Sequence, residues 1–217
     1  MKTDSELKKD VLAELAWDPV VPEARVGVSV SNGVVTLTGH LDSYSEKIAV
    51  RRAVERVGEV KTVAIEIDVI PLGVHQRSDA EIAAAVDHAL SWSTSVPKDR
   101  IRVTVEKGWV TLSGEVDWNF QRRAVERLVR PLKGVVGISD NIGLKVAAAP
   151  VNLTNRIQDA LVRQAMREAK RIEIATDGSV VTIKGQVHSW AERSAIEGAT
   201  WSAPGVSRVN NQLTVQA

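Results

Sequence analysis

The side chains best suited to chemistry form two basic clusters, each preceded by aromatic residues. The first cluster follows Tyr44, and the second follows Trp118 and Phe120. Their cations are Lys47, Arg51, Arg52, Arg56, Arg122, Arg123, Arg127 and Arg130. A basic residue near an anionic membrane contributes about 1 kcal/mol of attraction, and Tyr and Trp suit the boundary between bilayer and water because an apolar ring carries a polar tip. The clusters therefore predict reversible contact with anionic phospholipid.

The same residues also fit a simpler interpretation, which stays open at this point. Arginines interleaved with acids such as Glu55 and Glu126 are typical of a solvated helix face. The aromatic residues, including Trp190 in a third and less basic segment, could instead close the end of a sheet. Trp201 stands where related segments carry charged residues, which indicates an exposed face or a contact between units.

Catalytic and metal-binding chemistry has no support in the sequence. The four histidines share no HxH or HxxxH spacing, and Cys is absent, so that thiolate sites are excluded. The glycines form neither GxGxxG nor GxxxxGK, the patterns that bind phosphate. We therefore expect no enzyme activity, no metal and no cofactor. With 28 basic against 27 acidic residues, a nucleic-acid partner is not expected either.

The basic clusters belong to a unit that occurs three times. The segments GVVTLTG, GWVTLSG and GSVVTIKG end at Gly39, Gly114 and Gly185, and apolar positions before and after these glycines also match. Each unit reads as helix, strand, strand, helix, strand. We predict an α+β fold of three αββαβ units, each with a three-stranded mixed sheet covered by two helices. The predicted boundaries are 1–70, 78–146 and 150–217, with linkers at 71–77 and 147–149.

Repeated glycines mark the turns of each unit. Gly33, Gly108 and Gly178 follow Asn32, Lys107 and Asp177, and such pairs suit tight hairpins. Gly39, Gly114 and Gly185 end the second strand, where a missing Cβ permits a bend or a close backbone approach. Gly134 and Gly205 precede the last strand, and Glu59 takes that place in the first unit.

Two further expectations concern the first helix of each unit. Asp4 or Ser78 can cap its start. Trp17 and Trp92, at matching positions near its end, are expected to pack against the rest of the unit.

The unit resembles the BON domain, a bacterial module of osmotically inducible and membrane-associated proteins. The matching residues are VTLTG, VTLSG and VTIKG, each followed about twenty residues later by a turn and a Val-x-x-Val strand such as the one starting at Val206. Tandem units of this kind resemble osmotically inducible, transport-associated stress proteins. The resemblance implies binding rather than catalysis, either to phospholipid surfaces or to client proteins under osmotic or envelope stress.

These observations lead to one prediction and one rival. We predict a stress-associated protein that attaches reversibly to anionic phospholipid through its first two units. The rival is a chaperone-like or scaffolding module in which Trp109, Trp190 and Trp201 face client proteins or hold the three units against one another. The start, MKTDSELKKD, lacks the apolar run of a secretory signal. This predicts a cytoplasmic protein, peripheral on a membrane, or a periplasmic one if a leader has been removed.

Overall fold

A computed structural model describes residues 2–97, 99–145, 150, 152–163 and 172–215. Each unit contains a helix, a β-hairpin, a second helix and a third strand, which confirms the predicted α+β architecture. The first unit consists of α1 (Asp4–Trp17), β1 (Val26–Ser31), β2 (Val34–Leu41), α2 (Tyr44–Arg56) and β3 (Thr62–Val69). The second consists of α3 (Asp79–Ser91), β4 (Ile101–Glu106), β5 (Trp109–Val116), α4 (Asn119–Val129) and β6 (Gly137–Leu144). The third consists of α5 (Leu153–Arg163), β7 (Glu173–Asp177), β8 (Val180–Val187), α6 (Trp190–Trp201) and β9 (Arg208–Val215).

The three sheets share one topology. The second strand of each unit lies in the middle, antiparallel to the first strand and parallel to the third. Parallel neighbours need a crossover connection, and the second helix of the unit supplies it. The register is also repeated, since Val35 pairs with Val63, Val110 with Ile138 and Val181 with Val209.

Each unit buries its own apolar core between the sheet and its two helices. The four-residue spacing places Leu7, Val11 and Leu15 on the buried face of α1. These residues pack with the inward side chains of β2, including Val35 and Leu37, both fully buried. Equivalent clusters form in the second and third units. The predicted linker at 71–77 holds one 3₁₀ turn, and the one at 147–149 lies outside the described residues.

Acidic residues at the first helices hold the hairpin turns. The Asp4 carboxylate accepts hydrogen bonds from the backbone N–H groups of Asn32 (2.8 Å) and Gly33 (3.0 Å). Asp79 accepts equivalent bonds of 2.8 Å from the turn of the second unit. Asp4 is therefore not the helix cap that we expected, and Thr3 caps α1 instead. Ser78 caps α3, as expected.

The hairpin of the third unit uses a different pair of turn residues from the predicted one. Asp177 is the last residue of β7 and pairs with Val180, so Gly178 and Ser179 form the turn. Gly178 has a φ of +55°, and a Gly in the first central position is typical of a type II′ turn. The turn has two residues, as in the other units, but its glycine occupies the first position instead of the second.

The repeated glycine at the end of the hairpin is required by the backbone. Gly39 and Gly114 have φ angles of +136° and +132°, which L side chains rarely adopt. A Cβ on Gly114 would also collide with the carbonyl oxygen of Arg100. Glu59 takes a φ of +69° where Gly134 and Gly205 have +86° and +90°. The turn before the third strand is thus conserved in shape although the first unit has no glycine there.

Trp17 and Trp92 do not pack, which corrects our expectation. They are 83% and 79% exposed, since Trp17 is the last residue of α1 and Trp92 caps the end of α3, beyond the turns that face the sheet. Among the ring–ring contacts of the described residues, Trp92 makes a tilted one with His88, at 5.5 Å between centroids.

Candidate functional site

The second helices of the units carry the candidate site, and each begins at a capped position. Ser43 caps α2 and Ser189 caps α6, with their hydroxyls accepting from the N–H groups of Glu46 and Glu192. At the start of α4 a Gln replaces this acid, and the Gln121 side-chain oxygen accepts from the N–H of Trp118 at 3.0 Å. The caps fix where each helix leaves the sheet and therefore where its first aromatic residue lies.

The first unit docks on the second through the residue that starts α2. Tyr44 is half-buried and packs against the core of the second unit rather than its own. Burial raises the pKa of the Tyr44 hydroxyl. Beside it, the Ser45 hydroxyl donates to the backbone oxygen of Arg130 at 3.3 Å.

The third unit docks on the first in the equivalent way. Trp190 starts α6, stands at the same position as Tyr44, and packs against the core of the first unit. Its indole Nε1 donates to the backbone oxygen of Val60 at 3.0 Å. The guanidinium of Arg193 lies over the indole ring, 5.2 Å from the centroid, an arrangement that favours a cation–π contact.

The corresponding position of the second unit is occupied by Asn119, and no large ring docks there. Its neighbours Trp118 and Phe120 stay 47% and 56% exposed. A cleft of about 870 Å³ opens at this place, between α2, α4 and α6. Trp118 and Phe120 line it on one side, and Trp201 with small side chains of α6 lines it on another.

The cleft is strongly basic. Six arginines from α2 and the α4 region line it: Arg51, Arg52, Arg56, Arg123, Arg127 and Arg130. Against them stand only two lining acids, Glu55 and Glu126. Arg56 is already paired with Glu14 at 2.6 Å and Asp18 at 3.1 Å, whereas the other five have no carboxylate closer than 3.7 Å among the described residues.

Two of these arginines show how poorly their charge is compensated. The buried Nε of Arg51 makes no hydrogen bond, and the nearest carboxylate oxygen, from Glu55, is 3.7 Å away. The pKa of Arg130 is lowered from its ordinary value, first by burial and then by the nearby positive charge of Arg52. Both effects disfavour the charged form, which a bound anion would stabilise.

Of the twelve residues that the two basic clusters and Trp190 contribute in the sequence analysis, the structure brings eight to this cleft. They are Arg51, Arg52, Arg56, Trp118, Phe120, Arg123, Arg127 and Arg130. Tyr44 and Trp190 lie in the contacts between units instead. Two more join a second helix to a third strand: Lys47 donates to the Ile67 carbonyl at 2.7 Å, and Arg122 contacts Asp140 at 2.7 Å.

Sequence reasoning missed the contribution of α6. Its lining residues are Ala191, Ser194, Ala195, Gly198, Trp201 and Ser202. A Cβ on Gly198 would lie 3.3 Å from a guanidinium nitrogen of Arg123, so a small residue here lets that side chain lie against α6. The one signal was Trp201, which replaces charged residues of the other units.

In the part of the chain that the structure describes, every helix is too short or too polar to cross a bilayer. The same residues contain no group of three or more His, Asp or Glu placed to hold a metal ion.

The fold and the docking contacts define a tandem α+β repeat protein whose units join through aromatic side chains at their second helices. Residues 3–71, 78–146 and 151–217 each match the BON domain, and the chain belongs to the BON domain family.

The chain is similar to a named sequence relative and aligns with a solved structure. The chain is 26% identical to osmotically-inducible protein Y of Escherichia coli (strain K12) over 143 residues, which cover 62% of this chain and 71% of that protein. A structure of CdsD, a structural protein of the type III secretion system of Chlamydia trachomatis, aligns over 97% of this chain and 92% of that one at 13% identity, with a TM-score of 0.27. A TM-score this low does not establish a common overall structure.

Proposed function

We propose that the protein attaches reversibly to anionic phospholipid surfaces as a non-enzymatic component of a stress response. The observation that carries this function is the basic cleft, whose unpaired arginines open beside the exposed rings of Trp118 and Phe120. The relation to an osmotically inducible protein supports the stress context.

The physical basis is a combination of charge and amphipathic side chains. Arg52, Arg123 and Arg127 are exposed and have no ion-pair partner among the described residues. At about 1 kcal/mol for each basic residue near an anionic surface, they provide a weak and salt-sensitive attraction. The aromatic rings beside them reach the headgroup region, where such rings are favoured.

Co-sedimentation with phosphatidylglycerol vesicles tests this function. We expect binding at low ionic strength, release at high salt, and little binding to phosphatidylcholine vesicles. A variant with Arg123→Glu and Arg127→Glu should lose binding, since it reverses two charges of the cleft. The matched control carries Arg102→Glu and Arg156→Glu, which reverse two exposed charges outside the cleft and should retain binding. Equal loss of vesicle binding in both variants would mean that net charge alone determines binding, and it would contradict a role of the cleft.

A chaperone-like function is the second candidate, and one observation favours it. Trp17 and Trp92 are 83% and 79% exposed at equivalent places of the first two units, and exposed aromatic residues often mark protein contacts. The test is suppression of aggregation of a chemically unfolded client. A Trp17→Ala, Trp92→Ala variant should lose suppression if these residues contact clients, while vesicle binding through the cleft stays unchanged.

A further inference from the structure

The basic cleft gathers like charges from two units, which points to a multivalent ligand. Arg51 and Arg52 belong to α2 of the first unit, and Arg123, Arg127 and Arg130 belong to the second unit. Folding places them around one opening, where their mutual repulsion opposes docking of the units. A single small anion contacts only a few of them, whereas a ligand with several phosphates can reach both sets.

The chemistry of the lining matches phosphate. A guanidinium group presents a planar fork of donors that binds phosphate oxygens in pairs. The buried Nε of Arg51 is an unused donor, and Arg52, Arg123 and Arg127 have no acidic partner within ion-pair distance in the described chain. The opening measures about 870 Å³, which lies in the usual range of small-molecule sites.

The wall of the cleft that α6 forms brings the third unit next to the ligand. Arg123 reaches from α4 to α6, because its guanidinium lies 3.3 Å from the place of a Cβ on Gly198. A ligand held by Arg123 and Arg52 therefore joins side chains of α2 and α4 beside the wall that α6 forms. Such a ligand would offset the repulsion between the arginines and hold the units in their docked arrangement.

We propose that the cleft binds a small molecule or lipid headgroup carrying several phosphate groups, and that this anion fastens the three units together. This site rests on the proposed function in that it uses the same cleft. It goes further in naming a multivalent phosphate ligand and a structural consequence of its binding, neither of which requires a membrane.

The experiment uses the full chain and inorganic tripolyphosphate as the probe. Calorimetry measures its affinity, and thermal unfolding measures its effect on Tm, with orthophosphate at matched ionic strength as the reference. Near a hundredfold excess over Kd, tripolyphosphate should raise Tm by about 5 °C or more. Orthophosphate at the same concentration should raise it far less.

Two variants locate the effect. Arg52→Gln with Arg123→Gln removes one cation from each side of the cleft, and we expect at least a tenfold loss of affinity for tripolyphosphate. Both side chains are exposed, and circular dichroism checks the fold. The matched control, Arg102→Gln with Arg156→Gln, should bind as the natural chain does. Equal affinity in both variants, or equal stabilisation by tripolyphosphate and orthophosphate, would overturn the proposal.

Competition distinguishes the sources of phosphate and separates this site from the proposed function. If tripolyphosphate releases the protein from phosphatidylglycerol vesicles, headgroups and free polyphosphate share the cleft, as proposed. If vesicles bind but tripolyphosphate does not, the multivalent site is wrong and membrane attachment stands. If tripolyphosphate binds but vesicles do not, the multivalent site stands as a site for soluble ligands and membrane attachment fails.

Discussion

The indole Nε1 of Trp190 donates a 3.0 Å hydrogen bond to the backbone oxygen of Val60, 130 residues earlier in the chain. This bond joins the third unit to the first, and the ring itself packs against the first unit's core. A small unit of about 66 residues buries only about 60% of its unfolded surface. We therefore expect contacts of this kind to contribute to the stability of the whole chain.

We expect Trp190→Phe to lower the free energy of unfolding by about 1 kcal/mol or more, because it keeps an aromatic ring but leaves the Val60 oxygen without its donor. Urea unfolding followed by circular dichroism measures the change. Trp92→Phe is the matched control, since Trp92 is 79% exposed, and it should be nearly neutral. Equal stability of the two variants would show that the hydrogen bond to Val60 contributes nothing.

Gly114→Ala should destabilise the protein by about 2 kcal/mol or more, since the new Cβ meets the Arg100 carbonyl oxygen at a φ of +132°. Gly143→Ala is the control in the same sheet, because a Cβ there meets nothing closer than 3.6 Å. Thermal unfolding compares the two. A Gly114→Ala chain as stable as Gly143→Ala would mean that the backbone adapts without cost.

Glu59→Gly should stabilise the first unit by about 1 kcal/mol, because Glu59 holds a left-handed φ of +69° that costs a non-glycine residue roughly that much. Glu59→Ala is the discriminating variant, since it removes the carboxylate that accepts from the N–H of Lys2 without relieving the backbone. Differential scanning calorimetry should rank Gly above Glu and Glu above Ala. A Glu59→Ala chain as stable as Glu59→Gly would assign the effect to the side chain.

The caps of the first helices make stability depend on pH. Hydrogen bonds from the Ser78 backbone and hydroxyl hold the pKa of Glu81 below its ordinary value. The resulting stability is present above the pKa that Glu81 has in the unfolded chain, near 4.5. It is lost as the pH falls through the lower pKa that Glu81 has in the folded chain. Glu81→Gln should retain the cap, as Gln121 does in α4, but lose this dependence. The difference in Tm between the natural chain and the variant should therefore shrink as the pH falls from about 5 to about 3, the range in which Glu81 becomes protonated first in the unfolded chain and then in the folded one. A constant difference would contradict the assignment.

Arg52→Gln should raise Tm at low ionic strength, because it removes one of the arginines that crowd the cleft and lower the pKa of Arg130. The gain should amount to about 0.5 kcal/mol and vanish in high salt, where the repulsion is screened. Arg102→Gln, outside the cleft, should leave Tm unchanged at any salt concentration. A gain from Arg52→Gln that persisted in high salt would point to packing instead of charge.

The fold of each unit could be predicted because its determinants are local and repeated. The alternating apolar residues of the strands and the glycine that ends the second strand, such as Gly114, recur in all three units, so the three copies constrain one another. Trp17 and Trp92 misled the prediction, because a position near the end of a helix does not reveal whether the ring reaches the core.

The candidate site could be predicted only in part. The basic clusters of α2 and α4 were visible in the sequence, but the single cleft that they share depends on how the units dock. Tyr44 and Trp190 could not be placed, because the surface that receives each ring belongs to another unit. Lys47 also looked free in the sequence, but its acceptor, the Ile67 carbonyl, comes from a strand 20 residues away.

The contact between Trp190 and Val60 ties the third unit to the first, which leaves the ribosome earlier. Tyr44 of the first unit packs on the second unit, and Trp190 of the third unit packs on the first. The first unit therefore contacts both of the others. A nascent or truncated chain that ends before α6 would carry the arginines on two helices but lack the third wall. Any activity of the cleft therefore requires that all three units have been made.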